Sequence, residues 1–366
     1  MPHQTHASNP AWSWLAPAAA SALLAAKFAG VLDVTSGLAL TFAAVLLGGA
    51  VFAAVHHAEV LALKLGEPFG SILLAVAVTV IEVALIVSIM VSGAAGSDQV
   101  ARDTVFSAVM IVLNGVVGMC LILGGQRHHE QSFQLHGAAA ALGVLGVLAT
   151  MVLVMPNYTL ATPGPEFSVP QLLFVAAVSL ALYIVFVFVQ TIRHRDYFLD
   201  AESDTADASD VIKPTAPVTA ASALLLLVSL TAVVLLAKLL SYPLDTAITS
   251  AGLPQAFVGV VIAAVVLLPE GIAAVRAALG NRLQNSINLA LGSAIASIGL
   301  TIPTVAVVSW LMESKLTLGL ITENVALLSL TLFVSTLTLG TGRTTVLQGA
   351  VHLVIFAVFL LLSAIP

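Results

Sequence analysis

Apolar stretches of about 20 residues follow one another along almost the whole chain, and in hydrocarbon a stretch of that length satisfies its backbone only by coiling into a helix. Trp12–Gly30, Val34–Val55, Phe69–Val91, Phe106–Leu123, Gly137–Met155, Val169–Thr191, Ala221–Leu240, Phe257–Val275, the segment from Arg282 to about Leu311, Val325–Leu339 and Val346–Ile365 make eleven such runs. Composition agrees: 60 % of residues are hydrophobic, 8 % are charged and mean hydropathy is +1.10, beyond what a water-soluble core requires. The fold predicted is an all-α polytopic membrane protein of about eleven transmembrane helices. The single cysteine, Cys120, excludes an intramolecular disulfide, a cysteine zinc site and a thiol redox pair, and is read as a small buried hydrophobe. No nucleophile, cofactor or His-Glu-x-x-His pattern suggests an enzyme, and nothing suggests a nucleic-acid partner; lipid is the partner expected.

Two of the runs carry a glutamate near their middle: Glu82, with Thr79 one turn before it, and Glu270, directly after Pro269. A carboxylate at that depth costs a few kcal/mol or more, so it is rarely present without a partner or a task. The run after each glutamate is rich in polar residues, with Ser107 and Asn114 in the first case and Asn285, Asn288, Ser293, Ser297 and Thr301 in the second. Those five are expected to face Glu270 across a hydrated crevice, because polar atoms facing lipid would go unsatisfied. The two glutamates stand 188 residues apart in similar settings, as in an internal duplication. The predicted organisation is a tail and leading helix (1–33), a first repeat (34–192), a cytoplasmic acidic linker (193–218) and a second repeat (219–366). Five helices per repeat is an odd number, so the halves insert in opposite senses and their acidic centres can share mid-membrane depth.

The residues Phe257-Val-Gly-Val, Pro269-Glu270-Gly271, Asn281-Arg282, Asn288-Leu-Ala-Leu-Gly-Ser293 and Ile302-Pro303 resemble the second α-repeat of the calcium/proton exchangers, in the cation/calcium exchanger superfamily. Leu65-Gly66-Glu67, Gly70-Ser71, Glu82 and Leu123-Gly124-Gly125 resemble the first, and Gly340–Gly349 is similar to that family's last loop. From about His56 onward the likeness is closest to the bacterial calcium (and sodium or potassium)/proton antiporters. In one respect the chain departs from the pattern: Val78-Thr79 and Leu267-Leu268 stand where many exchangers place a Gly-Asn pair, so fewer side-chain oxygens are offered to an ion. The resemblance implies a multi-pass protein of the bacterial inner membrane that exchanges Ca²⁺ for H⁺ at a site built on Glu82 and Glu270. Asn114, Ser293 and Thr79 are secondary ligand candidates, and the alternative is Na⁺ or K⁺/H⁺ exchange at the same residues. The cations and protons are cargo, and no cofactor is expected.

His56-His57-Ala-Glu59 reads as a solvated helix end, and His57 or Glu59 is placed on an ion-entry path because the resemblance begins there. Gly125–His136 reads as a hydrophilic loop whose three histidines are exposed. The linker crowds Asp196, Asp200, Glu202, Asp204, Asp207 and Asp210 into fifteen residues, a self-repelling stretch read as a solvated connector. His352 and the ladder Ser329, Thr331, Ser335, Thr336 and Thr338 read as interhelical hydrogen-bonding groups. Lys64, Arg127, Arg193, Arg195, Lys213, Arg276, Arg282 and Arg343 fall on one side of the predicted topology, against chiefly Arg102 and Lys315 on the other. The positive-inside rule then places the N-terminus and the acidic linker in the cytoplasm.

Overall fold

The computed structural model describes residues 9–32, 36–66, 69–93, 96–199 and 213–366. Most of the polar tail, Glu67 and the acid-rich centre of the linker, 200–212, lie outside the described residues. Among the described residues eleven helices follow in order: α1 (Ala11–Phe28), α2 (Gly37–Leu65), α3 (Phe69–Ser92), α4 (Val100–His128), α5 (Leu135–Tyr158), α6 (Val169–Arg193), α7 (Ala216–Ser250), α8 (Phe257–Leu279), α9 (Leu283–Leu311), α10 (Thr322–Leu339) and α11 (Val346–Ala364). From α2 onward each is long and apolar enough to cross a membrane. A two-stranded antiparallel ribbon joins β1 (Gln131–Ser132) to β2 (Arg343–Thr344). The chain is an all-α polytopic membrane protein, as its apolar runs require.

The C-terminal ends of α2, α7 and α4 run beyond the sequence reading, each for a physical reason. α2 continues ten residues past Val55, because the polar residues there do not meet solvent as a group. His57 is fully buried, its Nε2 lying 3.0 Å from the Ser13 carbonyl oxygen and its Nδ1 3.4 Å from Ser222 Oγ. α7 runs through Lys238 and Pro243, since an internal proline removes one backbone bond and bends a helix without having to end it. α4 extends to His128, so the expected loop is a helix end, the strand β1 and the start of α5. His128 is half-buried there and donates from Nε2 to the Leu279 carbonyl at 3.0 Å, whereas His129 and His136 are exposed as expected.

The helices gather into two compact units that cut across the halves of the sequence. α1, α2, α3 and α7 as far as Ala247 form one; α4 to α6 and α8 to α11 form the other. In the first, α2 packs on α1 and α3, and Lys64 Nζ donates to the Pro214 carbonyl just before α7 at 3.1 Å.

In the second unit glycines set the approach of the helices. A Cβ at Gly259 of α8 would fall 2.5 Å from the Asp103 carbonyl carbon, one at Gly271 would lie 3.3 Å from Val116, and one at Gly124 3.5 Å from the Ala278 oxygen. That rising register shows α8 running parallel to α4. α11 lies antiparallel on α4: Gly125 meets Val346, a Cβ on Gly349 would stand 2.8 Å from the Gly118 oxygen, and the rings of Phe106 and Phe359 meet edge to face. Small residues at such crossings let backbones pack closely where no aqueous driving force exists. The Gly124-Gly125 pair of the sequence motif is thus a packing device.

Near the start of α4 the Arg102 guanidinium and the Asp103 carboxylate are buried together, with Nε to Oδ1 at 2.7 Å. Arg102 also donates to the Gly319 carbonyl at 3.3 Å and to Gln99 Oε1 at 3.0 Å. Removing one member of a buried pair strands the other charge, at about 3–5 kcal/mol. Arg102→Met is expected to cost more than Asp103→Asn, because the guanidinium keeps two further acceptors when the carboxylate is neutralised. Thermal unfolding of the two purified variants in detergent checks the order.

Candidate functional site

Each glutamate is the fourteenth residue of its helix, Glu82 in α3 and Glu270 in α8. At 1.5 Å per residue both stand roughly 20 Å along a span, close to its middle. Glu82 is 2 % exposed and Thr79, one turn before it, is also buried; both belong to the first unit. Glu270, Asn114 and Ser293 belong to the second, where Glu270 and Ser293 are half-buried and Asn114 is fully buried. α8 remains helical through Pro269, which has no amide hydrogen to give Val265, so a backbone carbonyl one turn before Glu270 is released from the ladder. Val78 and Leu267, at the places of the missing Gly-Asn pairs, are buried apolar groups.

Both helices that follow the glutamates change their winding. α4 contains a π-helical turn at Ile111–Val116 and α9 one at Ser297–Thr301, each beginning four residues after a serine, Ser107 or Ser293. Such turns are rare and concentrate at functional sites. The turn in α4 packs against α8 next to Glu270, through Gly271 and Val116, and it carries Asn114.

Asn114 is held at both ends of its carboxamide. Nδ2 donates to Thr331 Oγ1 at 3.0 Å, and Oδ1 lies 3.1 Å from Nδ1 of His352, whose Nε2 is 3.1 Å from Thr338 Oγ1. Thr331 passes its own hydrogen to Met110 Sδ at 3.4 Å. All of these side chains are buried. The hydroxyl ladder of α10 therefore divides into two faces. Thr331, Ser335 and Thr338, at helical spacing, are buried, whereas the exposed Ser329 and Thr336 bond back to carbonyls of their own helix. The sequence showed the ladder and His352, but not that they converge on Asn114, because the pairing joins helices more than 200 residues apart.

Asn288 corrects the expectation that the polar residues of α9 all line a crevice with Glu270. Its Oδ1 accepts from Gln284 at 2.8 Å and its Nδ2 donates to the Phe198 carbonyl at 2.5 Å. Gln284 in turn accepts from the Gln134 amide at 2.6 Å, while Gln131 donates to the Ala278 carbonyl and to Asn281 Oδ1, both at 3.0 Å. These groups satisfy the end of α8 and the tight turn into α9, where Asn281 adopts φ +60°, a region asparagine tolerates. On α2, His57 is sealed beneath α1 whereas Glu59 is exposed, as residues two apart on a helix face different ways. The structure does not bring the two entry-path candidates together.

Among the described residues no group of three or more His, Cys, Asp and Glu side chains is placed to hold a metal ion. The pattern of the sodium/calcium exchanger proteins matches residues 35–192 and 221–365, leaving out only the leading helix and the linker region. The chain belongs to the sodium/calcium exchanger family. This exchanger is 60 % identical over 357 residues to the putative ionic transporter y4hA of Sinorhizobium fredii, a match covering 98 % of this chain and 97 % of that one. It is 38 % identical over 312 residues to the sodium-potassium/proton antiporter ChaA of Escherichia coli, covering 85 % and 84 %. Its fold is similar to that of the Ca²⁺/H⁺ antiporter protein YfkE, with a TM-score of 0.73 over 97 % of this chain and 99 % of that one, at 14 % identity. The exchanger is a membrane transporter and not an enzyme.

Proposed function

We propose that this exchanger is a secondary active antiporter of the bacterial inner membrane that moves Ca²⁺ against H⁺, with Glu82 and Glu270 as the carboxylates that carry both. The observation that supports it most is the placement of one glutamate at the fourteenth residue of each of two corresponding spans. Burial penalises two bare carboxylates, so the empty pair holds protons readily, and a divalent cation supplies the countercharge that expels them. Occupancy by cation or protons but never both is what exchange requires, and rocking of duplicated halves supplies alternating access. Calcium suits a site of mixed oxygens because it accepts flexible, high-number coordination. Thr79, Ser293, Asn114 and the carbonyl released by Pro269 are the neutral oxygens we assign to complete the site.

A second reading, Na⁺ or K⁺ in place of Ca²⁺, is favoured by the likeness to the sodium-potassium/proton antiporter and by the apolar residues at Val78 and Leu267, which leave fewer oxygens for a divalent ion. The burial of Arg102 in an ion pair takes it out of the count of loop charges, which sharpens the charge bias supporting a cytoplasmic N-terminus. Everted or reconstituted vesicles with an imposed pH gradient test the function. Collapse of the gradient on adding Ca²⁺ supports the first reading, and collapse only by Na⁺ or K⁺ replaces it with the second. No collapse by any of the three overturns antiport.

A further inference from the structure

α5 presents two faces. It buries Ala138, Ala141, Leu145 and Leu148 inside its unit, whereas Ala139, Gly143, Gly146 and Thr150 make a second stripe at helical spacing that forms one wall of a groove. Leu332, Thr336 and Gly340 of α10, spaced by four, form the facing wall. The groove is open along its side and almost wholly apolar. Its volume is about 690 Å³, within the roughly 300–1,000 Å³ of ligand sites. Its glycines do not serve helix packing. A Cβ on Gly137, near the start of the helix, would run into the Tyr197 carbonyl, but one on Gly143 or Gly146 would meet nothing within 4 Å. Glycine is a poor helix former, so what these two contribute is the depth of the groove.

One end of the groove lies beside a cation. After Gly340 the chain turns through Gly342, at φ +73°, next to Leu135 at the start of α5, and enters β2, where Arg343 pairs with Ser132. Arg343 thus stands where both walls end. Its side chain is 72 % exposed, and its ion pair with the exposed Glu130, at 3.9 Å, is long and weak. We propose that the groove between α5 and α10 holds an acyl chain of one anionic phospholipid, whose phosphate is bound by Arg343. At the depth of these spans the surrounding medium is lipid, and a guanidinium offers a phosphate two parallel hydrogen bonds. A second copy of the chain fits less well: twelve residues line the groove, about half of the 20–30 a side that a stable protein interface uses.

The test is lipid retention by full-length protein, stripped of lipid in dodecyl maltoside, titrated with phosphatidylglycerol or phosphatidylcholine and read by native mass spectrometry. Wild type is expected to keep one lipid per chain and to prefer phosphatidylglycerol about fivefold, the effect of one basic residue at an anionic surface. Arg343→Gln should bind the two lipids alike. Arg282→Gln, at an exposed position in the turn between α8 and α9, should leave the preference unchanged. The double variant with Gly143→Leu and Gly146→Leu fills the groove, and should retain neither lipid while melting as wild type does in detergent alone. If it does not fold, Thr336→Phe closes the groove from the α10 side and should give the same loss. Equal retention of both lipids by wild type, undiminished retention with the groove filled, or a loss of preference in Arg282→Gln as large as in Arg343→Gln overturns the proposal. So does a wild-type dimer that keeps no lipid and becomes monomeric when the groove is filled, which would make the groove a contact between copies.

Discussion

Glu270→Gln is expected to reduce cation-driven proton movement to the level of empty vesicles while the protein remains inserted and folded, and Glu82→Gln to do the same. The amide has the shape of the acid but neither releases a proton nor balances a cation, so both halves of the exchange fail together. Folding should not suffer, because a neutral amide is less costly than an ionised carboxylate at that depth. The two effects separate in one measurement. Wild-type protein in detergent should unfold at a temperature that rises with cation concentration, by mass action on the folded state. Either variant should start at an equal or higher temperature and show no such rise. A variant that still gains stability from the cation, or still moves protons, would remove that glutamate from the assignment.

Gly259→Leu is expected to be the most damaging substitution in the helix packing. At that position of α8 even a methyl group would meet backbone atoms of α4, 2.5 Å from the Asp103 carbonyl carbon and 2.7 Å from the Thr104 nitrogen, and backbone cannot swing aside. Overpacking of a well-filled core costs about 1–3 kcal/mol and more where nothing can yield. The loss also spreads, since α8 would have to withdraw from the π turn of α4 and from Asp103 together. Gly143→Ala in α5 is the matched control: its added carbon meets nothing within 4 Å, and alanine is the better helix former by roughly 0.5–1 kcal/mol. Yield and thermal stability in detergent should fall sharply for the first variant and hold or rise for the second. Retained stability in Gly259→Leu would show that the two helices separate readily.

What the sequence discloses and what it hides follow from the range of the signals. Glu82 and Glu270 are legible because an acid in an apolar run is improbable whatever surrounds it, and the glycine and proline landmarks around them lie within one or two turns. Helix ends are less legible where polar residues continue a helix: His57 lowers the hydropathy of α2 at the point where it bonds to Ser13 and Ser222, so a buried contact imitates a terminus. Lys238 and Pro243 imitate one in α7 because a charge followed by a proline is the usual mark of a helix end. Asn288 was misassigned because a carboxamide in a span looks alike whether it faces an ion or the Phe198 carbonyl. The partners of Asn114 are hidden for a different reason. Thr331, Thr338 and His352 come from the far end of the chain, and hydropathy carries no information about which helices meet.

The π-helical turns at Ile111–Val116 and Ser297–Thr301 give α4 and α9 a property that uniform helices lack. A wider turn accommodates one residue beyond what an α-helix spends on the same length, and one residue is about 100° of rotation. Each helix is thereby two helices sharing an axis but out of phase with one another. In α4 both neighbours are followed across the turn: α8 meets Asp103 before it and Gly124 after it, and α11 meets Phe106 before it and Gly118 and Gly125 after it. Asn114 sits at the seam between the two phases, so a single extra residue lets one rod keep both neighbours along its length while the seam carries the side chain that meets Thr331 and His352.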